Sequence, residues 1–165
     1  MKYSIVYSSL TGNTKLLGEE IYKKLNKEDC IYCGELSDKS LEADFIYVGF
    51  WTDKGTCDSK CQEFLKKLRN KDIFLFGTAG FGVTNDYFED VISKVKENID
   101  SSVTVKDYFM CQGKMGIGVR KRYEATKLAN PDTPNIDMLI ANFDEALKHP
   151  NEEDLEKLDK KILSL

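Results

Sequence analysis

Three clusters of residues in this chain have types and spacing suited to binding chemistry, and the first is the most concentrated. Ser9-Leu10-Thr11-Gly12-Asn13-Thr14 follows the apolar run Tyr3–Tyr7 and precedes an amphipathic stretch. The order strand, short hydroxyl-rich turn, helix presents several backbone N–H groups and a helix N-terminus to an anion. Ser9, Thr11 and Thr14 add hydroxyl donors. No lysine stands inside the turn, and the glycine spacing of a Walker A loop or a dinucleotide fingerprint is absent. That favours a monophosphate over a triphosphate or a dinucleotide. The competing reading is a plain helix cap, in which these side chains satisfy only the helix's own first amides.

The second cluster is Trp51-Thr52-Asp53-Lys54-Gly55-Thr56-Cys57, which holds the only tryptophan. The third spans residues 77–84, where Gly77, Gly80 and Gly82 let backbone approach a flat ligand closely and Phe81 stands among them. Each follows a continuous apolar run, and in an open parallel sheet ligands bind outside the carboxyl ends of the strands. An anion site flanked by two aromatics describes a pocket for a planar ring with a phosphate tail.

The elements that must position these clusters alternate along the chain in the manner of a parallel sheet covered on both faces. Strands are predicted at residues 3–7, 30–33, 45–50, 73–76 and 103–110. Helices are predicted over 14–25, where Leu16, Leu17, Ile21 and Leu25 recur at helical spacing, and over 58–68, where Cys61, Phe64, Leu65 and Leu68 do. A third opens at Asp86 with Phe88, Val91, Ile92 and Val95 inward. Residues 119–128 and 136–147 are helical stretches that Pro131 and Pro134 keep apart. Residues 152–165 are highly charged, with Leu155, Leu158 and Ile162 at helical spacing, and are expected to pack as a last helix on a domain formed by residues 1–147.

The chain has 165 residues, 41% of them hydrophobic, which suits one domain with a single core. A net charge of −4 and a pI of about 5.2 argue against a generic nucleic-acid or anionic-membrane surface. Lys2 leads directly into the first strand, so no secretory leader is expected, and no stretch approaches the roughly 18 apolar residues of a membrane span. A cytoplasmic location follows as an expectation. Five cysteines, an odd number, read as reduced thiols. Cys30 and Cys33 with Cys57 and Cys61 have the spacing of a thiolate metal set, but residues three apart on a strand point to opposite faces, so no metal is expected. His149, beside Pro150, is expected at the surface.

Taken together, these residues resemble the flavodoxin family, over residues 1–147. Ser9 to Thr14 match the family's FMN phosphate loop. Trp51 stands where the family places the aromatic on the inner face of the isoalloxazine, and residues 77–84 where it places the loop holding the other face and the pyrimidine edge. The resemblance implies an α/β fold, a flavodoxin-like doubly wound five-stranded parallel sheet in the order 2-1-3-4-5. It implies FMN as the cofactor, held by Ser9, Leu10, Thr11, Gly12, Asn13 and Thr14, by Trp51, Thr52, Asp53, Lys54 and Gly55, and by Thr78, Ala79, Gly80, Phe81 and Gly82. Typical members carry a Gly-Asp pair and a tyrosine in the third loop. Here that loop reads Gly80-Phe81-Gly82, which leaves Phe81 or Tyr87 to stack on the outer face. Within the family the chain is most similar to the divergent flavodoxin-like proteins of anaerobic bacteria, a group that includes the flavodoxin partners of bilirubin reductase.

The function so implied is a low-potential carrier passing single electrons between redox partner proteins, acting as a monomer and without catalytic residues of its own. Two other readings stay open: an NAD(P)H-dependent FMN or quinone reductase of the same fold, and a cofactor-free accessory module. A phosphoacceptor domain would need an acidic cluster where Ser8, Ser9 and Trp51 stand. Lys54, Lys114, Arg120, Lys121 and Arg122 all fall near the predicted site, which implies a partner surface unlike the acidic one usual in the family.

Overall fold

A computed structural model describes residues 1–81 and 84–165. In chain order the elements are β1 (Tyr3–Tyr7), α1 (Asn13–Lys24), β2 (Cys30–Glu35), β3 (Phe45–Asp53), β4 (Thr56–Cys57), α2 (Ser59–Lys67), β5 (Asp72–Ala79), α3 (Asn85–Lys96), β6 (Thr104–Gln112), α4 (Ile117–Ala129), α5 (Ile136–Ala146) and α6 (Glu152–Leu163). Five strands pair in parallel in the order β2-β1-β3-β5-β6.

The expected count of five strands is corrected by a sixth. β3 runs on through Trp51, Thr52 and Asp53, and β4 folds back on it antiparallel, Thr52 opposite Cys57 and Asp53 opposite Thr56. The stated order 2-1-3-4-5 therefore becomes 2-1-3-5-6 with β4 outside the parallel path. The cause lies in Lys54 and Gly55, which both take positive φ, 53° and 84°. Two successive residues in that region make the primed turn whose twist suits a hairpin. Only Gly55 signals it in the sequence.

Side chains alternate across the central strands and so build two cores. Ile46, Val48 and Phe50 of β3 and Ile73 and Leu75 of β5 meet Phe64 and Leu65 of α2 and Val91, Ile92 and Val95 of α3. Phe45 and Tyr47, with Phe74 and Phe76, face the other way onto Leu17 and Ile21 of α1 and Leu158 and Ile162 of α6. Burial on both faces explains why β3 and β5 read as continuous apolar runs. Fully burying a side chain such as Phe50 or Phe74 contributes about 1.5–3 kcal/mol. At the carboxyl ends the neighbours alternate in size: Gly49 lies opposite Phe76, and Phe50 opposite Gly77. A Cβ on either glycine would come within 2.3 Å of the facing ring. These pairs bring the ends of β3 and β5 level, directly beneath the candidate site.

No helix covers the connection from β2 to β3; a single 3₁₀ turn, Asp38–Ser40, replaces it. α6 begins with a reciprocal capping box, the Asn151 side chain accepting from the Asp154 N–H and the Asp154 carboxylate from that of Asn151. His149 is not a free surface residue. Its ring is half-buried between Asp154, 2.7 Å from Nδ1, and Glu145, 3.6 Å from Nε2. α4 differs from every other helix described, having no buried residue.

Candidate functional site

The first turn of α1 is open where an anion would sit. Its N-cap is Gly12, at φ 90° and ψ −6°, and no side chain caps the helix there. Ser9 Oγ accepts from the N–H of Lys15 at 3.2 Å. Among the described residues nothing accepts from the N–H groups of Gly12, Asn13 or Thr14. A Cβ on Gly12 would meet no atom within 4 Å. The plain-cap reading thus accounts for one amide and leaves those of Gly12, Asn13 and Thr14 without an acceptor among the described residues, with no acidic side chain in the first turn to offset the positive helix end.

The hydroxyls expected to act as free donors do structural work as well. Thr14 is buried, and its Oγ1 lies 3.0 Å from the Phe50 carbonyl, to which it donates, and 3.1 Å from Thr78 Oγ1. It therefore ties α1 to the ends of β3 and β5. Thr11 Oγ1 donates to the Lys114 carbonyl at 3.1 Å. Asn13 Nδ2 lies 2.8 Å from the same carbonyl and 2.9 Å from Thr11 Oγ1.

Beside this turn lies a cavity of about 190 Å³. Of the sixteen residues predicted from sequence, it brings together Leu10, Thr11, Asn13 and Thr14 with Trp51 and Thr52 and with Thr78, Ala79, Gly80 and Phe81. Ser9 and Gly12 lie outside its wall, on the amide side of the α1 turn. Asp53, Lys54 and Gly55 are not part of it either; they form the β3–β4 turn, whose tip leans on α3, with Lys94 Nζ 3.3 Å from where a Gly55 Cβ would be. Gly82 lies outside the described residues.

The fourth wall is the glycine-rich loop after β6, which the sequence leaves as either a border of the ligand or partner surface or a plain connection. Gly113, Lys114, Met115 and Gly116, the loop after β6, and Val119 of α4 close the cavity. The signal available was the pair of glycines following a strand at the same sheet end, which reads equally well as a plain connection. Met115 fills the space beside Gly80, 2.5 Å from where a Cβ would lie. The Gly80 carbonyl accepts from Gln112 Nε2 at 2.9 Å and from Asn142 Nδ2 at 3.1 Å, which fixes the third loop to β6 and α5.

Trp51 is half-buried and held through its backbone. Asp58, the buried N-cap of α2, accepts from the Trp51 N–H at 3.3 Å with one carboxylate oxygen and from the Cys61 N–H at 3.3 Å with the other. The Asp58 N–H in turn donates to the Trp51 carbonyl at 3.1 Å. Phe81 is 53% exposed and stacks on Tyr87, ring centroids 6.4 Å apart. Cys57 and Cys61 are both buried, and their interaction with one another lowers the Cys57 thiol pKa and, together with full burial, raises that of Cys61. Neither thiol lines the cavity.

Lys114 is the one titratable side chain among the described lining residues. Among the described residues the lining therefore holds no acid–base pair. It offers free amides, a positive helix end, two aromatic rings and polar main chain, which is a binding chemistry. On these features the site suits a flat aromatic ligand with a phosphate.

Known proteins with this organisation agree with that reading of the fold. A flavodoxin-like domain-containing protein of Clostridium symbiosum, BilS, is 40% identical, with 94% of this chain and 90% of that protein covered. The oxidised flavodoxin 2 of Bacillus cereus superposes with a TM-score of 0.59 at 15% identity, covering 99% of this chain and 97% of its own. A Lactobacillus acidophilus flavoprotein in complex with FMN superposes with a TM-score of 0.51 at 17% identity, over 66% of this chain and 92% of its own. The flavodoxin domain family matches residues 4–163, from the first strand through the last helix, and the chain belongs to that family.

Proposed function

We propose that this protein binds FMN and carries single electrons between redox partner proteins. The observation that carries the proposal is the uncapped α1 N-terminus at Gly12, facing open space beside a cavity walled by Trp51 and Phe81. The FMN complex of the Lactobacillus flavoprotein, on a related fold, supports the choice of ligand.

In this reading the N–H groups of Gly12, Asn13 and Thr14 hold the phosphate, and the helix end supplies the positive potential that a lysine would give elsewhere. Trp51, pinned by Asp58, packs on one face of the ring. Phe81 supplies the other face, and the Thr78–Gly80 main chain the edge. Bound FMN supplies the one-electron chemistry. The chain's own residues bind, orient and exclude water, Lys114 being the one titratable side chain among the described lining residues.

The test is to pass the protein, incubated with FMN, through gel filtration and record its visible spectrum. The proposal requires a flavin band co-eluting with protein, and NAD(P)H oxidation with a dye acceptor no faster than free FMN supports. Colourless protein would refute flavin binding. Rapid NAD(P)H turnover would refute the carrier role in favour of a reductase.

A further inference from the structure

We infer that α4 and the loop before it form a docking surface for an acidic face of a partner protein, next to the flavin pocket. The inference rests on the electron-carrier reading. Residues 114–129 hold five basic side chains, Lys114, Arg120, Lys121, Arg122 and Lys127, against one acidic, Glu124. This is a net charge of +4 in a chain whose total is −4. Arg120 is taken up by Asp144 and Glu124, and Lys127 by Asp137. Among the described residues Lys114, Lys121 and Arg122 have no carboxylate partner, and all three are exposed.

Their placement connects them to the site. Lys114 lines the cavity, as does Val119. Arg122 follows Val119 by three residues and so lies one turn along the same helix face. Ile117, 62% exposed, precedes Lys121 by four residues on the neighbouring face. A Cβ on Gly116 or Gly118 would meet nothing within 4 Å, so the surface at these two positions is open. Apolar Ile117 and Phe81 beside the uncompensated cations give the mixed character of an interface, and the cations fix the sign of what it meets. We take that to be a protein face because exposed Phe81 lines the pocket, where an electron must pass, and exposed Ile117 lies two residues before Val119, which also lines it.

The test has two arms and one variant, K121E/R122E, which leaves the cavity residues untouched. In the first, labelled poly-L-glutamate is titrated at low ionic strength. The parent binds and the variant binds at least about tenfold more weakly. Equal binding by both, or none, overturns the inference, and this arm needs no flavin. In the second, reduced FMN-loaded protein gives one electron to ferricyanide, forming ferrocyanide, or to hexaammineruthenium(III), forming ruthenium(II). The parent rate with the anionic probe falls about threefold from low to physiological ionic strength, the rate with the cationic probe does not, and the variant reverses this order. A parent rate with ferricyanide that rises with salt, as net charge −4 alone would give, overturns the inference. Protein without flavin shows itself in the visible spectrum, so failure of the carrier reading is distinguished from failure of the surface. Sedimentation with phosphatidylserine vesicles, lost in the variant, would overturn the choice of a protein partner in favour of a membrane.

Discussion

Asn13 Nδ2 donates to the Lys114 carbonyl at 2.8 Å, joining two loops 101 residues apart at the wall of the cavity. A Cβ on Gly113 would lie 2.4 Å from that same amide nitrogen. Asn13→Ala is therefore expected to cost about 1 kcal/mol in urea unfolding, since it removes one of the two donors to the Lys114 carbonyl and leaves only Thr11 Oγ1. Gly113→Ala should cost a similar amount by displacing Asn13. Because both act on one contact, the double variant should be no less stable than the worse single one. Additive losses would contradict the shared contact.

Gly12 separates phosphate binding from ring binding. At φ 90° an alanine is strained by about 1–2 kcal/mol, and its methyl would project into the open cradle at the α1 amides. Gly12→Ala should weaken FMN binding by more than about tenfold while leaving the binding of riboflavin, which lacks the phosphate, within about twofold, because only the charge-assisted hydrogen bonds are lost. Isothermal titration of both ligands measures this; equal losses would move the phosphate away from Gly12.

Much of this arrangement was legible in the residues themselves. The run from Phe45 to Phe50 announces a strand buried on both faces, and the turn from Ser9 to Thr14 announces the passage from β1 into α1. The β3–β4 hairpin was not legible, because Lys54 takes a positive φ without being one of the residues that usually signal it. The role of the loop from Gly113 to Gly116 depends on contacts with Asn13 and Gly80, which no local pattern encodes. Asp58, read from sequence as the first residue of the second helix, is instead its N-cap, and that it also holds Trp51 follows only from β3 running on past the cavity.

The tyrosines on the α1 side of the sheet predict the alkaline limit of stability. Burial pushes the Tyr47 hydroxyl up to about 12, and raises those of Tyr3 and Tyr7 as well. An ordinary tyrosine titrates near about 10, so the folded state holds these protons more tightly than the unfolded one. The stability they contribute is complete below about pH 10 and is lost as pH rises toward about 12. Tyrosinate absorbance from the buried set should appear together with loss of far-UV circular dichroism, and Tyr47→Phe should move that loss to higher pH. Full tyrosinate absorbance in protein that is still folded would refute this.

Thiol reactivity should sort by burial. Cys33 is exposed, although the partial burial of its thiol pushes it up to about 11; Cys57, Cys61 and Cys111 are buried. A disulfide reagent should modify Cys33 first in native protein, at a rate rising about tenfold per pH unit below that value. Cys57, Cys61 and Cys111 should react only on unfolding. Fast native modification of Cys57 would show that the β3–β4 hairpin opens.

Trp51 is the only tryptophan, so its fluorescence reports the site alone. Titrating the protein with FMN should quench that emission along with the flavin's own, both reaching a plateau at one flavin per chain, because in the proposed site the ring packs on the indole. Undiminished tryptophan emission with excess FMN, in protein shown to be folded by circular dichroism, would contradict the flavin site placed between Trp51 and the α1 N-terminus.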